Sequence, residues 1–320
     1  MKRILIVGAG GQIGTELVPH LQKNYGEDNV IAADLKPQMV EKLSKIAIAE
    51  SVDALNAEGY AALVKKYKID AIYNLVALLS ATGEKNPQLA WQINMGALLN
   101  SLNIAKEFKC SLFTPSSIGA FGPNTPHYKT PQDTIMRPNT IYGVCKVTGE
   151  LLSDYYFTKF GVDTRSVRFP GIISYGALPG GGTTDYAVEV FYYAKAGRDY
   201  TCEVPQDAYM DMIYMPDALE ATTQLMEADP SKLVHRNSFN IASMSFTPEE
   251  IFAEIRKRCP DFKHTYNIDP VKAAISASWP DCMDDTPARE EWGWNPKWNL
   301  SRMVDDMLLH VLPDALFGAQ

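Results

Sequence analysis

The 320-residue chain predicts an α/β fold, with a doubly wound parallel sheet followed by a smaller C-terminal α/β lobe. Three observations predict it. Short apolar blocks at Ile4–Val7, 30–33, 71–75 and 111–114 have the length and composition of strands buried on both faces. Stretches with helical spacing, at 14–23, 60–67 and Pro87–Phe108, alternate with those blocks. A glycine-rich turn joins the first block to the first helical stretch. Strands alternating with helices imply right-handed βαβ crossovers and hence a parallel sheet.

Further along, Tyr142 opens a helical stretch to about Phe160, and a strand is expected at 164–168. The run Leu178-Pro179-Gly180-Gly181-Gly182-Thr183-Thr184 cannot be a core element and reads as a ligand-facing loop. Thr247, Pro248 and Glu250 form a helix start, with the threonine as N-cap and the glutamate completing a capping box. The expected division is a dinucleotide-binding domain over 1–168, with a return segment near 211–227, and a mainly substrate-binding lobe over 169–320, interleaved with it.

Composition narrows the function classes. A net charge of -8 argues against nucleic acid or an anionic membrane as partner, since both recruit basic faces. The five cysteines form no Cys-x-x-Cys pair and the five histidines no i, i+4 pair, so no metal site is indicated. No apolar stretch approaches the roughly 20 residues that span a bilayer, and Met1-Lys2-Arg3 leads directly into the first strand. The expected compartment is the cytoplasm, or the mitochondrial matrix if a transit peptide has been removed.

The turn Gly8-Ala9-Gly10-Gly11-Gln12-Ile13-Gly14 stands between strand and helix. Gly8 allows a tight turn, Gly11 a close approach of backbone to a pyrophosphate, and Gly14 close helix–sheet packing. Twenty residues beyond Gly14, at the end of the second strand, stands Asp34. A carboxylate there accepts from ribose hydroxyls and repels a 2′-phosphate. This is the Rossmann-type arrangement, with NAD the expected cofactor; Lys36 nearby softens the preference over NADP.

Tyr142 and Lys146 are four residues apart and share a helix face. A phenol is a poor base at neutral pH, and an adjacent ammonium together with a nicotinamide cation favours the phenolate. The phenolate can then take a proton from a substrate hydroxyl as hydride leaves the same carbon. Tyr155 and Lys159 match the same spacing but fall about 220° around the helix, away from that face. Ser117 follows the strand at 111–114, at the carboxyl edge where such sheets bind ligands, and could hold the substrate oxygen.

Together the glycine turn, Ser117 and the Tyr142/Lys146 pair resemble the extended short-chain dehydrogenase/reductase family over nearly the whole chain. The resemblance implies that NAD is held by Gly8, Gly11, Gln12, Ile13, Gly14, Asp34 and Leu35. It adds Asp53, Ala54, Leu75, Val76, Ala77, Asn94, Tyr142, Lys146 and Ile172 to that set. Many family members, the UDP-galactose 4-epimerases among them, act on nucleotide sugars and carry an arginine that clamps the diphosphate; Met210 stands in its place here.

Longer segments are similar to the L-threonine 3-dehydrogenase branch of the family. Among them are Leu79-Ser80-Ala81-Thr82-Gly83-Glu84, Pro179-Gly180-Gly181-Gly182-Thr183-Thr184-Asp185 and Ser278-Trp279-Pro280-Asp281. That similarity implies oxidation of L-threonine to 2-amino-3-oxobutyrate. Ser80, Gly182 and Thr184 would hold the amino-acid end, Ser117 and Tyr142 the hydroxyl, and Trp279 would close the pocket. It also implies a homodimer through the helices at 87–108 and 142–160; Tyr155, Tyr156 and Phe157 offer apolar surface for that, with burial within the subunit the alternative reading of the same residues. Two other readings stand beside it: a nucleotide-sugar epimerase or dehydratase, and a non-catalytic NAD-binding sensor or scaffold.

Overall fold

The computed structural model describes residues 2–180 and 182–318; Met1, Gly181 and the last two residues lie outside the described residues. The N-terminal half runs β1 (Ile4–Val7), α1 (Gln12–Tyr25), β2 (Val30–Asp34), α2 (Pro37–Leu43), β3 (Ile48–Ser51), α3 (Ala57–Tyr67) and β4 (Ala71–Asn74). It continues through α4 (Ser80–Lys85), α5 (Pro87–Phe108), β5 (Ser111–Phe113), β6 (Ser116–Ser117) and α6 (Ile141–Phe160). Then come β7 (Thr164–Arg165), β8 (Val167–Phe169), β9 (Gly171–Ile173), α7 (Tyr186–Lys195), β10 (Tyr200–Cys202), β11 (Met210–Tyr214) and α8 (Met215–Glu227). The chain closes with β12 (Phe239–Asn240), β13 (Met244–Phe246), α9 (Pro248–Arg256), β14 (His264–Tyr266), α10 (Pro270–Ser276), α11 (Thr286–Trp292), α12 (Leu300–His310) and α13 (Pro313–Phe317).

Six strands form one sheet in the order β3-β2-β1-β4-β5-β7, every pair parallel. Because neighbouring side chains of a strand point to opposite faces, β1 sends Ile4 and Ile6 one way and Leu5 and Val7 the other. Ile4 and Ile6 pack with Leu17, Val18 and Leu21 of α1 and Ala218, Ala221 and Leu225 of α8. Leu5 and Val7 pack with Tyr60 and Val64 of α3 and Leu98 and Leu102 of α5. The sheet is therefore covered on both faces, which is why its central strands β1, β2 and β4 read as apolar runs, whereas the half-buried edge strand β3, Ile48–Ser51, was not expected from the sequence. Strand order reverses between β1 and β4, and the crevice beyond their carboxyl ends is where such sheets bind ligands.

The expected strand at 164–168 is two strands. Thr164–Arg165 completes the large sheet beside β5, while Val167–Phe169 joins a separate three-stranded sheet, β12-β8-β6. The break falls at Ser166, whose backbone N–H and C=O turn to Arg236 and Phe239. A further sheet, β13-β11-β9, backs the C-terminal core around Phe191, Met212, Phe252 and Met303. The capping box of α9 forms as expected, with Thr247 Oγ1 accepting from Glu250 N and the Glu250 carboxylate from Thr247 N. Among the described residues, no helix is long and apolar enough to cross a membrane.

Candidate active site

The glycine turn starts where β1 ends. Gly8 has φ +79°, in the left-handed region that disfavours a side chain, and a Cβ there would lie 3.1 Å from the Leu75 and Val76 backbone. A Cβ on Gly14 would sit 2.6 Å from Ala9 Cα, so the close packing of α1 on the turn needs glycine there. Gly11 is under no such pressure from the protein, its nearest neighbour being ordinary contact with Gly8 O at 3.4 Å. Gly10, by contrast, is pinned: a Cβ would meet Met39 at 2.6 Å and Asp34 Oδ2 at 2.9 Å. Asp34 holds the turn, accepting from Gly10 N at 2.9 Å and from Lys36 N at 3.0 Å. The N-cap of α1 is Gly11, with no side-chain cap and no acid in the first turn, so the positive end of the helix faces the crevice without a carboxylate of its own.

Thr140 caps α6 by accepting from Gly143 N at 3.1 Å, which starts the helix one residue before Tyr142. Gly143 lets that end seat deeply: a Cβ there would be 2.3 Å from Gly119 O. Lys146 Nζ lies 5.3 Å from the centroid of the Tyr142 ring and donates to the Pro115 carbonyl at 2.6 Å. Ser117, at the end of β6, caps the short turn after it, its Oγ accepting from Gly119 N at 3.1 Å. Tyr155 and Lys159 face outward, Tyr155 being 53% exposed.

A cavity of about 300 Å³ brings most of the sequence-predicted residues together. Its wall brings Gln12, Ile13, Leu75, Val76, Ala77 and Ile172, from the set that the resemblance gives to the cofactor, together with Ser117, Tyr142 and Lys146 and with Ser80, Gly182, Thr184 and Trp279. Lys146 is the one cationic side chain among the described residues in its wall. Asp34 instead closes β2 and Asp53 lies two residues past the adjacent parallel strand β3, at the same carboxyl edge, with Leu35 exposed and Ala54 buried beside them. Asn94 lies outside the main cavity: its amide bridges the backbone of Leu78, donating to its carbonyl and accepting from its N–H. Met210 is fully buried in the C-terminal core.

Other wall residues have no role of their own in the sequence reading: Phe169 and Val188 are apolar and indistinguishable from core, while Leu178 lies in the loop read as ligand-facing and Asp185 at the end of the segment similar to L-threonine 3-dehydrogenases. Asp185 in fact organises the loop, accepting from Gly182 N at 2.7 Å. Gly171 is the tightest point: a Cβ would lie 2.3 Å from Met212 Sδ and 2.8 Å from Thr184 Cγ2. Cys145, beside the pair, is buried, and burial pushes its thiol above the ordinary range, which speaks against a reactive thiolate. No group of three or more His, Cys, Asp or Glu among the described residues is placed to hold a metal ion.

Comparison with known proteins gives a consistent picture. Residues 4–242 match the model of the NAD dependent epimerase/dehydratase family. An uncharacterized epimerase/dehydratase of Staphylococcus haemolyticus is 54% identical over 308 residues, 96% of this chain and 97% of its own length. The L-threonine dehydrogenase of Clostridium difficile superposes with a TM-score of 0.95 at 49% identity, covering 100% of this chain and 99% of that one. The holo form of a GalE-like L-threonine dehydrogenase from Cupriavidus necator superposes with a TM-score of 0.92 at 47% identity, covering 96% and 99%. A family match over most of the chain, joined to a glycine turn at a strand-order reversal, means that this chain belongs to the NAD dependent epimerase/dehydratase family.

Proposed function

We propose that this chain oxidises L-threonine at its C3 hydroxyl to 2-amino-3-oxobutyrate, with NAD as oxidant. The observation that carries the reading is one cavity whose wall joins Gln12 and Ile13 of the glycine turn, Tyr142, Lys146 and Ser117, and the small hydroxyl side chains Ser80 and Thr184. The cavity suits a small polar molecule better than a nucleotide sugar. The arginine of nucleotide-sugar enzymes is replaced by Met210, buried in the C-terminal core, and Lys146 is the one cation among the described residues of the wall. A diphosphate left without its arginine would be costly. The similarity to solved L-threonine dehydrogenases at 47–49% identity supports the same choice.

The residues fit NAD: the uncapped N-terminus of α1 and the Gly8–Gly14 backbone would take the pyrophosphate, and Asp34 a ribose hydroxyl. Bound there, NAD supplies the hydride acceptor. Tyr142 Oη takes the hydroxyl proton, and the Lys146 ammonium, steadied by the Pro115 carbonyl, stabilises the phenolate. The Ser117 hydroxyl accepts from Gly119 N, so its own hydrogen can be given to the substrate oxygen. Ser80, Thr184 and loop N–H groups such as that of Gly182 receive the zwitterion, and Trp279 excludes water from the far end. Protein mixed with NAD and L-threonine should show rising NADH absorbance; a protein that binds NAD yet gives no rise refutes the reading. Calorimetry with a UDP-sugar tests the nucleotide-sugar alternative, which requires tight binding.

The proposal includes a homodimer through α5 and α6. Their outer faces expose Leu89, Trp91 and Leu99 on one helix and Leu151, Tyr155 and Phe157 on the other. Of the three aromatic residues considered for this face, Tyr156 takes the alternative and is buried within the subunit, its hydroxyl donating to Asn103 at 2.8 Å. Sedimentation equilibrium should return twice the 35.5 kDa chain mass; the single mass at micromolar concentration excludes the dimer.

A further inference from the structure

The helix face that carries Tyr142 and Lys146 continues one turn on to Glu150, four residues beyond the lysine. Glu150 is only 6% exposed, and a carboxylate that deep is stable only when paired. Its oxygens accept from the Arg168 guanidinium, from Nε at 3.0 Å and Nη2 at 2.8 Å, and Oε1 also accepts from the Ser116 hydroxyl. Ser116 and Arg168 are themselves partners in the ladder between β6 and β8. The residue after Ser116 is Ser117; the residue before it is Pro115, whose carbonyl holds Lys146. One buried carboxylate thus ties the helix bearing the proposed base to the strand that carries both of the base's neighbours. A second cavity, of about 30 Å³, has Lys146 and Glu150 in one wall together with Asn74, Thr114 and Ser153. Besides Arg168 on β8, the charged or titratable groups near Glu150 are Lys146, Cys145 and Asp154 on its own helix; Asp133, on the loop before it, interacts with Asp154.

We propose that Glu150, balanced by Arg168, is a positioning residue for the proton transfer: it sets the placement of the Pro115 carbonyl and Ser117 and, through its charge, the field at Tyr142 and Lys146. The proposal rests on the reading of Tyr142 as the base. The ion pair is neutral as a whole, so removing one member leaves a net charge in a poorly solvated region. Eight helical residues place Glu150 about 12 Å from Tyr142 along the axis. A unit charge at that distance, screened by an effective dielectric of about 20 to 40, moves a titration by about half to one pH unit.

The test is the pH profile of threonine oxidation in variants whose fold is checked by thermal melting. Glu150→Gln leaves Arg168 unbalanced, and the added positive field favours the phenolate. The acid limb of kcat should therefore move to lower pH by about half to one unit. Displacement of Lys146 and Ser117 should lower kcat by about tenfold or more, with the threonine KM changing by less than about twofold. The double variant Glu150→Gln/Arg168→Met removes both charges and should return the limb to its wild-type position without recovering kcat. Glu150→Asp, which keeps the charge but shortens the reach, should lower kcat with the limb unmoved. A readout independent of turnover is the difference absorbance titration of the phenol in NAD-bound protein, each variant against the same variant carrying Tyr142→Phe. If the wild-type protein failed to oxidise threonine, the functional reading would fall while this titration still tested the tie. A limb and phenol titration unmoved in folded Glu150→Gln, or still displaced in the double variant, overturns the proposal.

Discussion

At the cofactor end of the cavity, consecutive residues from Gly8 to Gly14 make a turn whose geometry is local: a positive φ, a close contact within the turn, and a helix N-terminus. The substrate end is gathered from Ser80, Ser117, Tyr142, Thr184 and Trp279, on separate loops and elements. The difference teaches where each end is vulnerable. The turn depends on backbone shape and on one carboxylate, that of Asp34. The substrate end has no local geometry of its own and depends on buried polar ties between distant segments, such as Glu150 to Arg168 and Asp211 to Met283. Damage at one end should therefore leave the other measurable.

The largest expected effect tests that separation directly. Tyr142→Phe removes only the hydroxyl that would take the substrate proton, and should lower kcat by about 10² to 10⁴-fold. Its NAD affinity, measured by calorimetry, should stay within about twofold, because the turn does not rely on Tyr142. A matching loss of NAD binding would show that the two ends are one mechanical unit.

A smaller effect is expected where the substrate end is tightest. Gly171→Ala places a methyl 2.3 Å from Met212 Sδ and 2.8 Å from the Thr184 methyl. Overpacking of this kind costs about 1–3 kcal/mol. The flexible Met212 can yield, so the strain should fall on Thr184, raising the threonine KM by about tenfold while NAD binding changes little. An unchanged KM would mean that Thr184 does not hold the amino acid.

The same contrast governs what could be read before the fold was known. Four strands of the six-stranded sheet, β1, β2, β4 and β5, were legible because burial leaves a short apolar run, and the turn because its glycines follow one another. The edge strand β3 was missed: Ile48–Ser51 is only half-buried and ends in Glu50 and Ser51, so it leaves no such run. Tyr142 and Lys146 were legible because a helix converts a four-residue spacing into adjacency. The break at Ser166 was not, since it depends on Arg236 and Phe239, some seventy positions away. For Tyr156 the sequence left surface and burial equally open, and the choice is set by a partner on another helix, Asn103. Glu150 shared the helical spacing that exposed Lys146, but a lone glutamate in a helix is usually a solvated one, and only its contacts with Arg168 and Ser116 distinguish it.

Asp211 offers a pH test of the long-range ties. It lies buried on β11, accepting from the Ser245 hydroxyl and from Met283 N at 2.6 Å, and so anchors the segment that follows Trp279. Burial is the main cause that pushes its carboxyl up to about 7. Because the folded value lies above the unfolded one, this group's contribution is fully present below about pH 4 and is lost as pH rises through about 7. Asn has the hydrogen-bonding capacity of the protonated acid, so Asp211→Asn should gain on the wild type by about 2 kcal/mol in urea unfolding between pH 5 and pH 8. A difference that stays flat with pH would show that the carboxyl is not held this way.

The smallest effect sharpens the comparison from the other side, because α9 is local structure inside the distributed half. Thr247 accepts from Glu250 N at 3.2 Å and Glu250 returns the bond to Thr247 N at 2.7 Å. Thr247→Ala removes the hydroxyl and leaves the Glu250 N–H to water, while the backbone N–H of residue 247 keeps the Glu250 carboxylate, and should cost about 1 kcal/mol. If vulnerability follows the kind of construction rather than the lobe, this loss should lower the unfolding midpoint without moving kcat, the threonine KM or NAD affinity. Ile251, Phe252 and Ile255 anchor α9 in the C-terminal core independently of its cap, so the helix should fray at its first turn and keep its place. A shift in threonine KM from this substitution would mean that the C-terminal core transmits strain to the cavity, and that its local elements belong to the same network as its long-range ties.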